Sequence, residues 1–420
     1  MSDQELERYV RQMRWQLERA PLSRRGFMWA SAMSATAAFL AACSSGGGNA
    51  TAAPSSAAPS ASASASAAAS ASEAAVESLG PEPSFEVPPD IEKELFMYNW
   101  GDYVDPNNMK QFQEVFGVEK FTYDTFANND EMMAKFQGGA LGQWDICCPT
   151  MNYVPAMRDQ GFIQKLDLAR LPNLKYVDKT FKGQYWDPTD EYSVPKDWGT
   201  TGISVRTKDV KEPVKSWREF LDLVPKYSGK VVFVDSPDDV FIAPLKANGY
   251  SLNSDVKEEL DKAREELLKV APHILALDSD QYNTKIETEE AVLGLTWTGG
   301  ILELRDKPET SDVVYTIPED GTVFWLDTWV VLTDPPHPVA GHAFINFIHE
   351  PHIQAIETET NQYATPDSAA KQFIDPKMLA DEALFVPEDV VAKLEPQKDN
   401  SGITQRQDIW AEFKSKIGQG

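Results

Sequence analysis

The stretch LFMYNWGDYVDP, residues 95–106, decides the architecture. An apolar run, Leu95 to Tyr98, ends in Trp100 and Tyr103 interleaved with Gly101, Asp102 and Asp105. Asp105-Pro106 then opens a helical pattern through MKQFQEVFG, residues 109–117. Aspartate caps a first turn, and proline is tolerated there because its missing N–H would have no helical partner. Strand, aromatic and acidic loop, then helix is one unit of a layered α/β protein. Exposed, such rings would lower solubility. Gathered around a cleft with carboxylates, they suit a small organic cation.

The unit recurs along the chain. KFTYDTF (120–126) precedes NDEMMAKFQGG (129–139), WDICCP (144–149) precedes YVPAMRDQG (153–161), and KVVFVDSP (230–237) leads into DDVFIAPLKANG (238–249). Residues 254–274 read as a helix with Leu260, Ala263, Leu267 and Val270 on one face. VAGHAFINFIHEP (339–351) and DIWAEFKSKIG (408–418) read as further helices, and VLGL (292–295) and FWLD (324–327) as strand segments. The alternation predicts largely parallel sheets with ligands bound beyond the carboxyl ends of strands. Those ends carry YNWGDY, PTMNY, DSPDD and TWTGG.

A chain of 420 residues, 42% hydrophobic and 10% aromatic, is long enough for two domains. Its 39 Lys and Arg against 65 Asp and Glu give a net charge of −26. That field repels nucleic acid and attracts cations, although acidity also serves plain solubility. Residues 1–43 carry +2 and residues 44–90 carry −5, leaving −23 on 91–420.

The first 43 residues read as an export signal. SRRGFM, with Arg24 and Arg25, resembles a twin-arginine signal, and LAAC, ending at Cys43, resembles the lipobox where bacterial lipoproteins are cleaved and acylated. The intervening Ala/Ser-rich run suits a cleaved signal better than a spanning helix of about 20 apolar residues. Residues 44–90, rich in Ala, Ser, Gly and Pro, cannot bury a core. They predict a disordered tether about 40 Å long, from about 5–6 Å × √n. Localisation on the outer face of a cytoplasmic membrane, through lipid on Cys43, is the expectation.

Of the three cysteines, Cys147 and Cys148 read as small buried hydrophobes rather than a vicinal disulfide. His342, His349 and His352 lie roughly on one face, but HEPH is not a zinc pattern, so no metal is expected. No nucleophile elbow, phosphate loop or dinucleotide fingerprint is present, so neither an enzyme nor a cofactor is predicted. Trp100, Trp297, Trp325 and Tyr363 with Asp239 and Asp327 form the main constellation. A core role remains the alternative for each tryptophan. Taken together beside acids, they fit an alkylammonium ligand.

YNWGDYV, WDICCPTMNYV, YSVPKDWGTTGISV, VDSPDDVF, LGLTWTGG, PEDGTVFWLDTWVV, FINFIHEPHIQ and NQYATP occur in this order along nearly all of residues 92–420. The set resembles the spermidine/putrescine-binding proteins of bacterial polyamine ABC importers. The resemblance implies a two-lobed periplasmic-binding-protein type II fold with a hinge and an interlobe cleft. Lobe one would comprise 91–200 and 328–374, and lobe two 201–327 and 375–420. The implied ligand contacts are Trp100, Tyr103, Thr150, Asp239, Trp297, Trp325, Asp327 and Tyr363. The implied partners are a small cationic amine and a permease with a separate ATPase, since this chain has no nucleotide-binding signature. Three positions depart from the pattern: Ser236 stands for an acid and Asn152 for an aromatic of the spermidine type, and Gly300 for an acid of the putrescine type. A receptor of the same fold for another solute, an exported acidic hydrolase and a peptide-binding surface protein are the alternatives.

Overall fold

β1 (Glu94–Asn99) is the strand expected from the opening stretch. The following helix, Pro106–Phe116, begins as its sequence dictates: the Asp105 carboxylate accepts from the backbone N–H groups of Asn107 and Asn108. It ends at Gly117, whose φ of 68° is a left-handed conformation that glycine adopts without steric cost. These elements belong to a computed structural model that describes residues 85–305, 307–400 and 403–419, all within one compact unit, Val76–Gly420. The expected export signal, Cys43 and the tether up to residue 84 lie outside the described residues. Among the described residues no helix is long and apolar enough to cross a membrane.

The remaining strands are β2 (Lys120–Thr125), β3 (Ile146–Cys147), β4 (Ser193–Arg206), β5 (Val231–Phe233), β6 (Ala276–Leu277), β7 (Leu293–Trp297), β8 (Val313–Thr316), β9 (Val323–Val331) and β10 (Glu395–Pro396). They lie in the order β2-β1-β3-β9-β4-β7-β5-β6, with β10 on β9 and β8 on β4. β1, β2 and β3 run parallel, as do β5, β6 and β7, which matches the alternating pattern. The expectation of largely parallel sheets fails at the centre, however. β4 is antiparallel to β9, β7 and β8, and β9 is antiparallel to β3. Strands that close a crossover can return in either sense, and periodicity alone does not record which.

β4 is the spine. Its residues Ser193–Thr200 pair with β9, and Thr201–Val205 pair with β7, so one strand serves two sets of neighbours. Around β1, Phe112 packs edge-on against Phe344 with ring centroids 5.1 Å apart. On the opposite face Tyr98 stacks on Trp144 at 4.4 Å. Around β5, Phe233 meets Phe220 at 5.5 Å, and Leu260, Ala263, Leu267 and Val270 of the helix Lys257–Val270 are buried. Cys147 and Cys148 are free and buried.

β4 tolerates its crowding through glycine. A Cβ on Gly202 would lie 2.7 Å from the Tyr315 ring and 2.5 Å from the Thr316 carbonyl oxygen of β8. Gly202→Val should therefore cost about 1–3 kcal/mol by overpacking. Calorimetry should show a melting temperature lowered by a few degrees, and an unchanged value would contradict this close approach of β4 and β8.

Candidate ligand-binding cleft

Strand ends bring the site residues together. Trp100 follows β1, Thr150 follows β3, Asp239 lies in the short helix after β5, and Trp297 is the last residue of β7. Trp325 and Asp327 sit two apart on β9, so they share one face of the strand. Tyr363 follows the helix Pro351–Asn361.

The rings form a connected wall. Trp325 meets Tyr363 edge-on at 5.0 Å, and Tyr363 meets Tyr103 edge-on at 5.7 Å. Trp297 stands edge-on to Trp100 at 5.8 Å and to Tyr282 at 5.8 Å, and the Tyr282 and Tyr363 rings lie over the adjacent Gly300 and Gly299. Two glycines make room for it. A Cβ on Gly199 would lie 2.6 Å from the Trp325 indole, and one on Gly300 would lie 2.7 Å from the Tyr282 ring. Tyr282 thus occupies the space that an acid at position 300 would need.

At one end, Asp327 lies opposite Thr150 in an isolated bridge, and its Oδ2 is 2.7 Å from the Tyr103 hydroxyl. Burial, then the neighbouring Asp197 charge, pushes the Asp327 carboxyl up to about 7, against the Tyr103 and Thr150 hydroxyls and Lys196. The Thr150 hydroxyl lies near without hydrogen-bond geometry to Asp327 Oδ1, which has no partner. Instead, Asn129 Nδ2 donates to Thr150 Oγ1 at 2.9 Å. Burial also raises the Tyr103 hydroxyl, helped by Asp197 and Asp327, so it stays protonated.

At the other end, the Thr201 hydroxyl donates to Asp239. Burial raises the Asp239 carboxyl, opposed by hydrogen bonds from Ser236, Thr201 and Trp297. Ser236 caps the short helix Pro237–Val240 by accepting from the Asp239 N–H. Of the acids flanking Ser236, Asp238 is the one that reaches Asn152, whose Nδ2 donates to it at 3.2 Å. Burial, then Asp130 and Asp239, pushes Asp238 up to about 7.

Seven of the eight expected residues fall into two adjoining groups, Trp100 with Trp297, and Trp325 with Tyr363, Tyr103, Asp327 and Thr150, while Asp239 is held by Thr201. Sequence reading missed Tyr282 and Gln397. Gln397 is buried beside Phe324 of β9, and its Nε2 has no partner. The Trp325 indole N–H and Asn152 Oδ1 are likewise buried without partners. Unpaired buried polar atoms cost about 1–3 kcal/mol each, and a polar ligand in the cleft would offset that cost at those it reaches.

The histidines are engaged elsewhere: His337 with Asp145 at 3.1 Å, His349 with Asp367 at 3.0 Å, His352 with Glu350 at 3.1 Å, and His342 with the Pro338 carbonyl at 2.7 Å. Among the described residues no group of three or more His, Cys, Asp or Glu could hold a metal.

Comparison with known proteins points the same way. The family described as bacterial extracellular solute-binding protein matches residues 108–386. The spermidine/putrescine-binding periplasmic protein of Escherichia coli K12 is 31% identical over 328 residues, 78% of this chain and 92% of that protein. The putrescine-binding periplasmic protein SpuD of Pseudomonas aeruginosa is 30% identical over 344 residues, 77% of this chain and 92% of its own length. The solved structure of the spermidine/putrescine transporter substrate-binding protein PotD from Streptococcus pneumoniae superposes with a TM-score of 0.65 at 27% identity, covering 77% of this chain and 99% of that one.

Raised carboxyl pKa values make the folded protein bind protons more tightly than the unfolded chain. Stability is then lost as pH rises from the unfolded value near 4 through about 7. The ligand-free protein should melt highest near pH 5 and lower at pH 8, and Asp238→Asn should flatten that slope. An identical slope in the variant would contradict the burial of Asp238.

Proposed function

Because this chain belongs to the bacterial extracellular solute-binding protein family, we propose that it captures a polyamine of the spermidine or putrescine type outside the cell and hands it to an ABC importer. The observation that carries this reading is the buried pair of acidic ends, Asp327 and Asp239, joined by a wall of tyrosine and tryptophan rings. Aromatic faces attract alkylammonium groups and cover methylenes, and carboxylates fix the charged ends through charge-assisted hydrogen bonds. The names of the similar proteins support the same cargo. The family is one of solute binders, and capture here needs no bond-making step.

In this reading Trp100, Tyr103, Thr150, Asp239, Trp297, Trp325, Asp327 and Tyr363 contact the amine, with Gln397 and Tyr282 beside them. The change of β4 partners between Thr200 and Thr201 supports a division into lobe one, 91–200 and 328–374, and lobe two, 201–327 and 375–420. The lobes close on the amine as hinge-bending receptors do, and the closed form engages the permease and its separate ATPase. A lipid on Cys43 and the tether 44–90 would hold the receptor near that permease.

Calorimetric titration of the purified protein with putrescine, spermidine, spermine and cadaverine, with neutral and anionic controls, tests this. A selective amine should bind, and at 100 times its Kd should stabilise the fold by about 2.7 kcal/mol. Trp325→Ala and Asp327→Ala should each weaken binding at least about fivefold, roughly 1 kcal/mol. No binding of any amine, or unchanged affinity in both variants, overturns the reading.

A further inference from the structure

The register of β4 against β9 slips between Pro195 and Asp197. Lys196 is therefore the extra residue of a bulge, and Asp197 falls directly opposite Asp327. Bulges re-aim side chains, and like charges directly opposite on neighbouring strands repel. Here both carboxylates are buried, Asp197 at 5% and Asp327 at 6% exposure. Sequence alone gave no reason to group Lys196 or Asp197 with the site.

Everything packed against this pair can be named. The Tyr103 hydroxyl, from the loop after β1, hydrogen-bonds Asp197 Oδ1 and lies 2.7 Å from Asp327 Oδ2. Lys196 Nζ lies 2.5 Å from Asp197 Oδ2 and 3.5 Å from the centre of the Tyr103 ring. Burial opposes the charge on Lys196, but the Asp197 and Glu357 carboxylates overcome it and hold its pKa up. Glu357, on the helix Pro351–Asn361, is held by Asn108 Nδ2 at 2.6 Å. The Cys148 thiol and the Thr150 and Tyr363 hydroxyls complete the surroundings, and burial keeps Cys148 and Tyr363 protonated.

The proton count follows from chemistry. A tyrosine hydroxyl has one proton to donate. Asp197, whose other oxygen pairs with the Lys196 ammonium, accepts that hydrogen bond at Oδ1. Asp327 Oδ2, at hydrogen-bond distance from the same oxygen, is then bonded only if it is the donor.

We propose that Asp197 is the second carboxylate of the cation site, and that the site exchanges a proton for its ligand. Empty, Asp327 keeps a proton and donates a hydrogen bond from it to the Tyr103 oxygen. When a primary ammonium seats against the unpartnered Asp327 Oδ1, that proton leaves to solvent and the carboxylate pairs with the ammonium. The amine is already protonated at neutral pH, with a pKa near that of lysine at about 10.4, so it neither gives nor takes a proton. Lys196 is already paired with Asp197, so Asp327 is left to pair with one ligand ammonium at this end. Asp327, pushed up to about 7, titrates in the range where the exchange is measurable. The proposal rests on amine capture in this cleft.

The test is calorimetric titration of the purified protein with putrescine and spermidine in phosphate and in Tris, whose ionisation enthalpies differ, at pH 6, 7 and 8.5. About one proton should be released per ligand at pH 6, about half at pH 7 and almost none at pH 8.5, with affinity rising about tenfold over that range. Asp238, Glu357 and Glu303 are also pushed up to about 7, so release must survive in Asp238→Asn, Glu357→Gln and Glu303→Gln. It should fall at pH 6 and 7 in the double variant Lys196→Met/Asp197→Leu, which removes both members of the ion pair at once. Amine binding without buffer dependence at pH 6 and 7 overturns the exchange and leaves amine capture standing. Loss of the release in Asp238→Asn overturns its assignment to Asp327, and full release in the double variant overturns the part given to Asp197. If the double variant does not fold, the wild-type and Asp238→Asn proton numbers decide. No binding of any amine removes the reading beneath the proposal.

Discussion

Burying carboxylates among aromatic rings costs free energy that the chain's own hydrogen bonds do not fully offset. Asp327 keeps one oxygen unpartnered, and Asp239 is hydrogen-bonded to Thr201 without a paired cation among its neighbours. A buried group in that position either takes up a proton or meets a cation. The rest of the cleft follows from that choice. The rings of Trp325, Tyr363, Tyr103, Trp297 and Trp100 exclude water and supply the faces on which an ammonium is favourable. The low local dielectric that makes empty carboxylates costly also strengthens their attraction for a ligand charge.

The fold provides this by letting β4 and β9 run antiparallel through the centre. Strands on either side end in loops that face the same region, from Trp100 and Thr150 on one set and Asp239 and Trp297 on the other. Close approach is arranged by omission of side chains: Gly199 under Trp325 and Gly300 under Tyr282 leave space that the rings fill. Contacts across the cleft already exist, since Asn152 reaches Asp238 and Asn128 Nδ2 donates to the Asp235 carbonyl at 3.4 Å.

Much of this was legible in the sequence, and the failures have physical causes. The strand-loop-helix unit after β1 was readable because Asp105, Pro106 and Gly117 punctuate it by local rules. β4 was not, because Pro195, Lys196, Asp197, Gly199 and Gly202 are poor strand formers and break any alternation. Tertiary pairing with β9 and β7 overrides that weak propensity. The same bulge hid Asp197, whose facing depends on a register slip that no periodicity announces. Tyr282 and Gln397 lie outside the motifs, and only the folded chain brings Tyr282 against Trp297 and Gln397 beside Phe324. The inward turn of Asp238 depends on the phase of a four-residue helix, too short for any pattern to fix.

The most direct measurement is a crystal structure of the protein with a bound polyamine. Capture in this cleft predicts an ammonium nitrogen about 2.7–3.2 Å from Asp327 Oδ1, with methylenes lying along Trp325 and Trp297. An amine bound outside the cleft, or one inside it that leaves Asp327 Oδ1 unpartnered, would contradict the central claim.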